Sequence, residues 1–248
     1  MQSIDKNVIG WNQWWLRGRV DPRECLAAFQ PLGAEGIAQS LFNINGRGIN
    51  DAAIATTPTH AEADGWTFAS ASSQYLTVGS GAIASAVPLS MVCLFQADNI
   101  TSAYPLMSIS RAASAHNAFT LEAGGATDSD PVRALSVTAG VTVAAVSAVG
   151  YVADQWYVAV GVWSAAAVRN AHIFSKDNRR TAYAHWGNWG TETTSSTPAS
   201  VDTTTIGYTT DVSSPTYHGG KIGACAFYSI ALNQKQVVEI SLALLELV

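Results

Sequence analysis

Charge is scarce in this sequence. Only 12% of its 248 residues are Asp, Glu, Lys or Arg, about half the ~25% share of ordinary globular chains. Thirteen basic against 18 acidic residues give a formal net charge of -5, and the densest basic groupings are Arg179-Arg180 and the spaced Arg17, Arg19 and Arg23. A nucleic-acid footprint needs a basic face, so that class of partner is excluded. Cysteine is sparse as well. Cys25, Cys93 and Cys225 are odd in number and far apart, which leaves neither a disulfide framework nor a CxxC metal knuckle. Cys93 and Cys225 stand inside alternating patterns and read as small buried thiols. Long apolar runs are missing too. No stretch reaches the roughly 20 apolar residues of a membrane span, and MQSIDKNVIGWNQWW lacks the basic patch and apolar run of a secretory signal. A protein made in the cytoplasm, with no membrane partner, is expected.

What is present is a hydrophobic share of 48% beside abundant Ala, Ser, Thr and Gly. Such a chain buries a large core and solvates itself with hydroxyls. From about Leu26 onward, short segments rich in Val, Ile, Thr and aromatics recur between Gly, Pro, Asn, Asp and Ser clusters, the spacing of a β-sandwich. In the segment 87–96, Val87, Leu89, Met91, Cys93 and Phe95 share one face, with Ser90 and Gln96 on the other. In 155–164, Trp156, Val158, Val160 and Val162 alternate with Tyr157, Ala159 and Trp163. Both faces are apolar, which predicts a central strand. The tract 191–205, nearly all Thr, Ser, Pro and Glu, reads as an exposed loop leading into a strand. A short connecting helix is expected within 34–42. A C-terminal helix is expected from Asn233, which with Gln236 makes a capping box ahead of Val237, Ile240 and Leu244.

Three stretches resemble the laminin-G-like, concanavalin A-like lectin/glucanase superfamily. These are DGWTFASASSQYLTVGSG (64–81), DQWYVAVGVWSAAAVRNAHIFSKDNRR (154–180), and TIGYTT (205–210) with YHGGKIGACAFYSIALNQKQVVEI (217–240). In the second, Ile173, Phe174 and Asp177-Asn178 stand where the superfamily's hairpin usually carries a Tyr and an Asn-Gly turn. The resemblance implies an all-β antiparallel sandwich, a concanavalin A-like jelly roll, over residues 25–248, with a Trp-rich N-terminal arm over residues 1–24 and a short C-terminal helix. An arm joined to such a domain resembles tailed-phage virion proteins. That resemblance implies a non-enzymatic structural role, as a capsid decoration or head/tail attachment protein, with other virion proteins as partners, a homo-oligomeric state and location in the virion.

Candidate chemistry is thin. Glucanases of this fold use two carboxylates on one strand, and the comparable pairs here are Glu62-x-Asp64 and Asp128-x-Asp130, both at turns. No G-x-S-x-G occurs, and His60, His116, His172, His185 and His218 are scattered without metal-ligand spacing. Asp98, Asp128, Asp130, Asp202 and Asp211 are candidate calcium donors or solvated turn residues; no cofactor or resident metal is expected. Within AHWGNWG (184–190), His185, Trp186, Asn188 and Trp189 form either a glycan or partner contact or the anchor of a loop. In the arm, Trp11, Trp14 and Trp15 fall at helical spacing with Leu16, Arg17 and Arg19 beside them. Either they tuck against their own sandwich or they dock on another subunit, since aromatics with Arg are the composition of interface anchors. Beside the virion role stand two alternatives: a carbohydrate-binding module for host-surface glycans, and a glycan-cleaving enzyme acting through Glu62 and Asp64.

Overall fold

The computed structural model describes residues 13–45, 49–111, 117–125, 131–176, 190–209 and 215–248. In chain order the strands are β1 (Cys25–Phe29), β2 (Ala52–Thr56), β3 (Thr59–Ala61), β4 (Gly65–Phe68), β5 (Tyr75–Val78), β6 (Leu89–Ala97), β7 (Tyr104–Ser110), β8 (Asn117–Ala123) and β9 (Pro131–Thr138). There follow β10 (Val141–Gly150), β11 (Trp156–Ala165), β12 (Val168–Ser175), β13 (Gly190–Glu192), β14 (Thr203–Ile206), β15 (Tyr208–Thr209), β16 (Thr216–Tyr217) and β17 (Gly220–Tyr228). The connecting helix shrinks to α1 (Ile37–Ser40), and α2 (Gln234–Leu245) is the C-terminal helix.

Two antiparallel sheets make a sandwich, as expected. One has eight strands in the order β13-β12-β11-β6-β17-β4-β3, with β1 also paired to β17. The other has seven, β10-β9-β8-β7-β14-β5-β2, and β15 pairs with β16 as a separate ribbon. Between the sheets lies the main core. Leu89, Met91, Cys93 and Phe95 of β6 enter it beside Tyr157, Ala159 and Trp163 of β11, the alternation read from sequence.

The other face of the eight-stranded sheet is also apolar, because Val92, Leu94, Val158, Val160 and Val162 point outward there. An apolar outer face has to be covered. α2 covers it with Val237, Val238, Ile240, Leu244 and Leu245. Its start is fixed as predicted: the Asn233 side chain accepts from the Gln236 backbone at 3.1 Å, and the Asn233 amide donates to Gln236 Oε1 at 2.9 Å. The arm joins this layer from Gln13 onward. Trp14 and Trp15, edge to face at 5.8 Å, sit in a 3-10 turn (Trp14–Arg19) packed on α2. Gly18 lies at φ +71, where a Cβ would meet Gln236 Cα at 2.6 Å, so only glycine permits this approach. Trp14 Nε1 donates to Gln30 Oε1 at 3.1 Å, and the Tyr228 hydroxyl donates to the Trp15 carbonyl at 3.0 Å.

The Thr/Ser/Pro tract is largely exposed and leads into β14, as expected, but it also opens in β13 and buries Ser196 and Val201 on the way. Buried Arg169 holds it from beneath, donating to the Thr194 and Ala166 carbonyls at 2.9 and 3.0 Å. A guanidinium on the adjacent strand β12 does what no local apolar signal announces.

Candidate functional site

With one sheet sealed by α2, the outer side of the seven-stranded sheet is the larger surface left to examine. Strand alternation places hydroxyls there. Thr77, Thr205, Ser108 and Thr120 are successive register partners across β5, β14, β7 and β8, and the row continues into Leu135 and Ala144. Their neighbours Leu76, Ile206, Met107, Ile109, Phe119 and Leu121 point into the core, so the hydroxyls face out. Farther along the same side, Arg133 Nε donates to Glu122 Oε1 at 2.7 Å.

The β15–β16 ribbon lies over this row. Gly207, at φ +78, separates β14 from β15, and a Cβ there would meet the Phe68 ring at 2.9 Å. The chain therefore leaves the sheet and re-forms as β15. Thr209 of the ribbon points down: its hydroxyl stands 3.2 Å from both Ser108 Oγ and Thr120 Oγ1, which are 3.2 Å from each other. Thr205 Oγ1 donates to the Tyr208 carbonyl at 2.7 Å.

Beside the ribbon three tyrosines gather. Tyr208 and Tyr217 are cross-strand partners with stacked rings 5.0 Å apart. Tyr75, at the outward position that opens β5, lies 4.5 Å from Tyr208 and 6.1 Å from Tyr217. All three are half-buried. Burial, then the neighbouring Tyr217 and Tyr75, raises the Tyr208 pKa above its ordinary value of 10, so its phenol stays a neutral donor and acceptor at physiological pH. The cluster thus offers ring surface and phenol hydroxyls together. Directly after β16, His218 turns inward and is fully buried, edge-on to Phe68 and Tyr104 at 5.7 Å each. Neither ring nitrogen has a hydrogen-bond partner of good geometry among the described residues. Burial lowers its pKa to about 4, a Lys221 backbone contact acting weakly the other way.

The residues singled out in the sequence lie elsewhere. His185, Trp186, Asn188 and Trp189, together with Trp11, fall outside the described residues. Trp14 and Trp15, at 0% and 4% exposure, are built into the protein's own second core, where they pack with the apolar side of α2. Leu16 packs at the edge of that core, and Arg17 and Arg19 are exposed. Asp64 accepts from Lys221 Nζ at 2.7 Å, and exposed Glu62 lines a cavity of about 660 Å³ with Gln30, Leu32 and Trp156. Asp98 accepts from the Asn99 side chain at 3.0 Å, and Asp128, Asp130 and Asp211 lie outside the described residues. Among the described residues no group of three His, Cys, Asp or Glu is placed to hold a metal, and no helix is long and apolar enough to cross a membrane.

Sequence reasoning passed over the tyrosines, though a signal existed. Tyr75 and Thr77 alternate with apolar Leu76 and Val78, which puts an aromatic on the polar side of β5. Tyr208-Thr209 and Thr216-Tyr217 mirror each other in the sequence about a Ser- and Pro-containing stretch, a pattern that would pair the two rings.

No protein-family model matches the chain, and no curated protein matches its sequence. Solved structures do. Domain 4 of AbnA, a GH43 extracellular arabinanase from Geobacillus stearothermophilus solved with arabinotriose, aligns with a TM-score of 0.59 at 11% identity, over 88% of this chain and 98% of that one. The binding domain of botulinum neurotoxin serotype D aligns with a TM-score of 0.55 at 9% identity, over 89% of this chain; the alignment spans about half, 52%, of that chain. A CBM40 domain of the Ruminococcus gnavus IT-sialidase, bound to α2,3-sialyllactose, gives 0.48 at 13% identity over 63% of this chain and 83% of that one. At such identities the likeness is one of architecture, an antiparallel β-sandwich.

Proposed function

We propose that the protein is a non-catalytic glycan-binding module whose ligand rests on the tyrosine cluster at the outer side of the seven-stranded sheet. The observation that carries this is the gathering of Tyr75, Tyr208 and Tyr217 within 4.5–6.1 Å of one another, half-buried. Sugars present C–H faces flanked by hydroxyls, and a tyrosine meets both, with ring surface for the one and a phenol for the other. Rings already packed on each other have less freedom to lose when a ligand arrives. The fold shared with the arabinanase domain, which was solved with arabinotriose, supports the choice of ligand class. The pairing of Asp64 with Lys221 supports the non-catalytic part, because glycoside hydrolysis needs two carboxylates facing one bond.

The test is a glycan array followed by titration with arabinotriose and with the best-bound glycan. Tyr208→Ala is expected to weaken binding on the order of tenfold or more, the loss of about 1.4 kcal/mol typical of a central aromatic contact. Wild-type protein that binds nothing on the array, or a folded Tyr208→Ala variant with unchanged affinity, removes the proposal.

A further inference from the structure

We propose that Thr209 is the positioning residue of this site: it fixes the tyrosine cluster by fastening the β15–β16 ribbon to the sheet through a buried ring of three hydroxyls. The inference rests on the glycan-binding reading above for its functional half. Its structural half stands on geometry. Ser108 and Thr120 are register partners on β7 and β8, so two corners of the ring belong to the sheet and the third, Thr209, to the ribbon. All three side chains are fully buried, and all three separations are 3.2 Å. Each hydroxyl can donate to the next and accept from the one before, so the ring closes on itself. Removing one corner leaves two buried hydroxyls with a partner missing.

The ring decides which way the tyrosines face. Tyr208 and Thr209 are adjacent, so their side chains leave the ribbon on opposite sides. Register pairs Tyr208 with Tyr217 and Thr209 with Thr216. With Thr209 held down against Ser108 and Thr120, both tyrosines must stand on the far side, next to Tyr75. A slip of one residue would exchange the two faces. A ribbon of two residue pairs does not hold its own register in water, so contacts with the sheet must supply it. The Thr205 hydroxyl of β14 donates to the Tyr208 carbonyl at 2.7 Å, and the His218 amide donates to the Gly207 carbonyl at 2.9 Å across the ribbon's base. Of the ribbon residues in these contacts, Thr209 is the one whose own side chain reaches the sheet.

The experiment uses the full chain with Thr209→Val, which keeps the shape and removes the hydroxyl, and Thr209→Ser, which keeps the hydroxyl. Ser108→Ala breaks the same ring from the sheet. Two quantities are read: amide hydrogen exchange at Tyr208, Thr209 and Tyr217 without ligand, and binding on the glycan array with arabinotriose as the soluble probe. Thr209→Val and Ser108→Ala are expected to speed exchange at those amides at least tenfold, while β6 and β11 stay protected, and to lower glycan binding about tenfold. Thr209→Ser is expected to match wild type in both. A Val variant with wild-type exchange, or a Ser variant that behaves like Val, overturns the positioning role. The two halves separate cleanly. A wild type silent on the array but with Val-sensitive exchange removes the glycan reading and leaves the anchor standing. Glycan binding with Val-insensitive exchange does the reverse.

Discussion

His218→Phe should leave the protein at least as stable at pH 7 and remove a defined part of its acid sensitivity. Among the described residues two histidines are buried with depressed pKa values: burial lowers His218 from 6.5 to about 4 and His172 from 6.5 to about 3. A depressed histidine pKa means that the unfolded chain takes up the proton first. Stability is then full above pH 6.5 and falls as the pH drops through the window between the unfolded and folded values. For one such group the loss between pH 7 and pH 5 is about 2 kcal/mol, so the pair gives about 4 kcal/mol. Phenylalanine suits position 218, since the imidazole lies edge-on between Phe68 and Tyr104 and no well-formed hydrogen bond is lost with it. Urea unfolding followed by tryptophan fluorescence at pH 7, 6 and 5 gives the numbers. The variant should match or exceed wild type at pH 7 and lose about 2 kcal/mol less on going to pH 5. Carboxylate titration affects both proteins alike and cancels in the difference. An unchanged pH dependence, or a cost above about 2 kcal/mol at pH 7, would refute the claim that an unpartnered neutral imidazole occupies this position.

Two further outcomes follow from the layer over the eight-stranded sheet. Gly18→Ala forces an L residue to φ +71 and drives a Cβ to 2.6 Å from the Gln236 backbone; the left-handed conformation and the overpacking together should cost about 2–4 kcal/mol in urea unfolding, and a change below about 0.5 kcal/mol would mean the arm does not pack as described. Asn233→Ala removes the side-chain half of the α2 capping box and should cost about 1 kcal/mol, with Asn233→Ser recovering most of it; equal stability of all three proteins would argue against the cap.

The sequence reveals most where a periodic signal is long. β6 and β11 run nine and ten residues, and their alternation assigns side chains to the two cores correctly. α2 is announced by its cap. The short strands are harder: β1, β2, β3 and β13 have three to five residues each, and β2 is Ala-Ala-Ile-Ala-Thr with four exposed positions, so no alternation stands out. Helical spacing groups Trp14 and Trp15 with Leu16 but does not say what covers them. The answer lies on α2, more than two hundred residues along the chain. The tyrosine site shows the same limit. Each ring can be placed on its strand from local pattern, yet their meeting depends on Gly207 turning the chain out of β14 and on Thr209 finding two hydroxyls a hundred residues earlier.

The place of β17 sets the order in which this protein can be built. It lies between β6 and β4 and also carries β1 along its length. During synthesis the eight-stranded sheet is therefore three unjoined pieces, β13-β12-β11-β6, β4-β3 and β1, until residues near 228 have left the ribosome. Every neighbour of β17 was made long before it, so closing the sheet means ordering loops of more than a hundred residues at once. Such distant pairings make for slow folding, in milliseconds to seconds or beyond. Chains stopped short of β17 would be left with bare strand edges on β4 and β6, the kind of surface on which unfinished chains find one another.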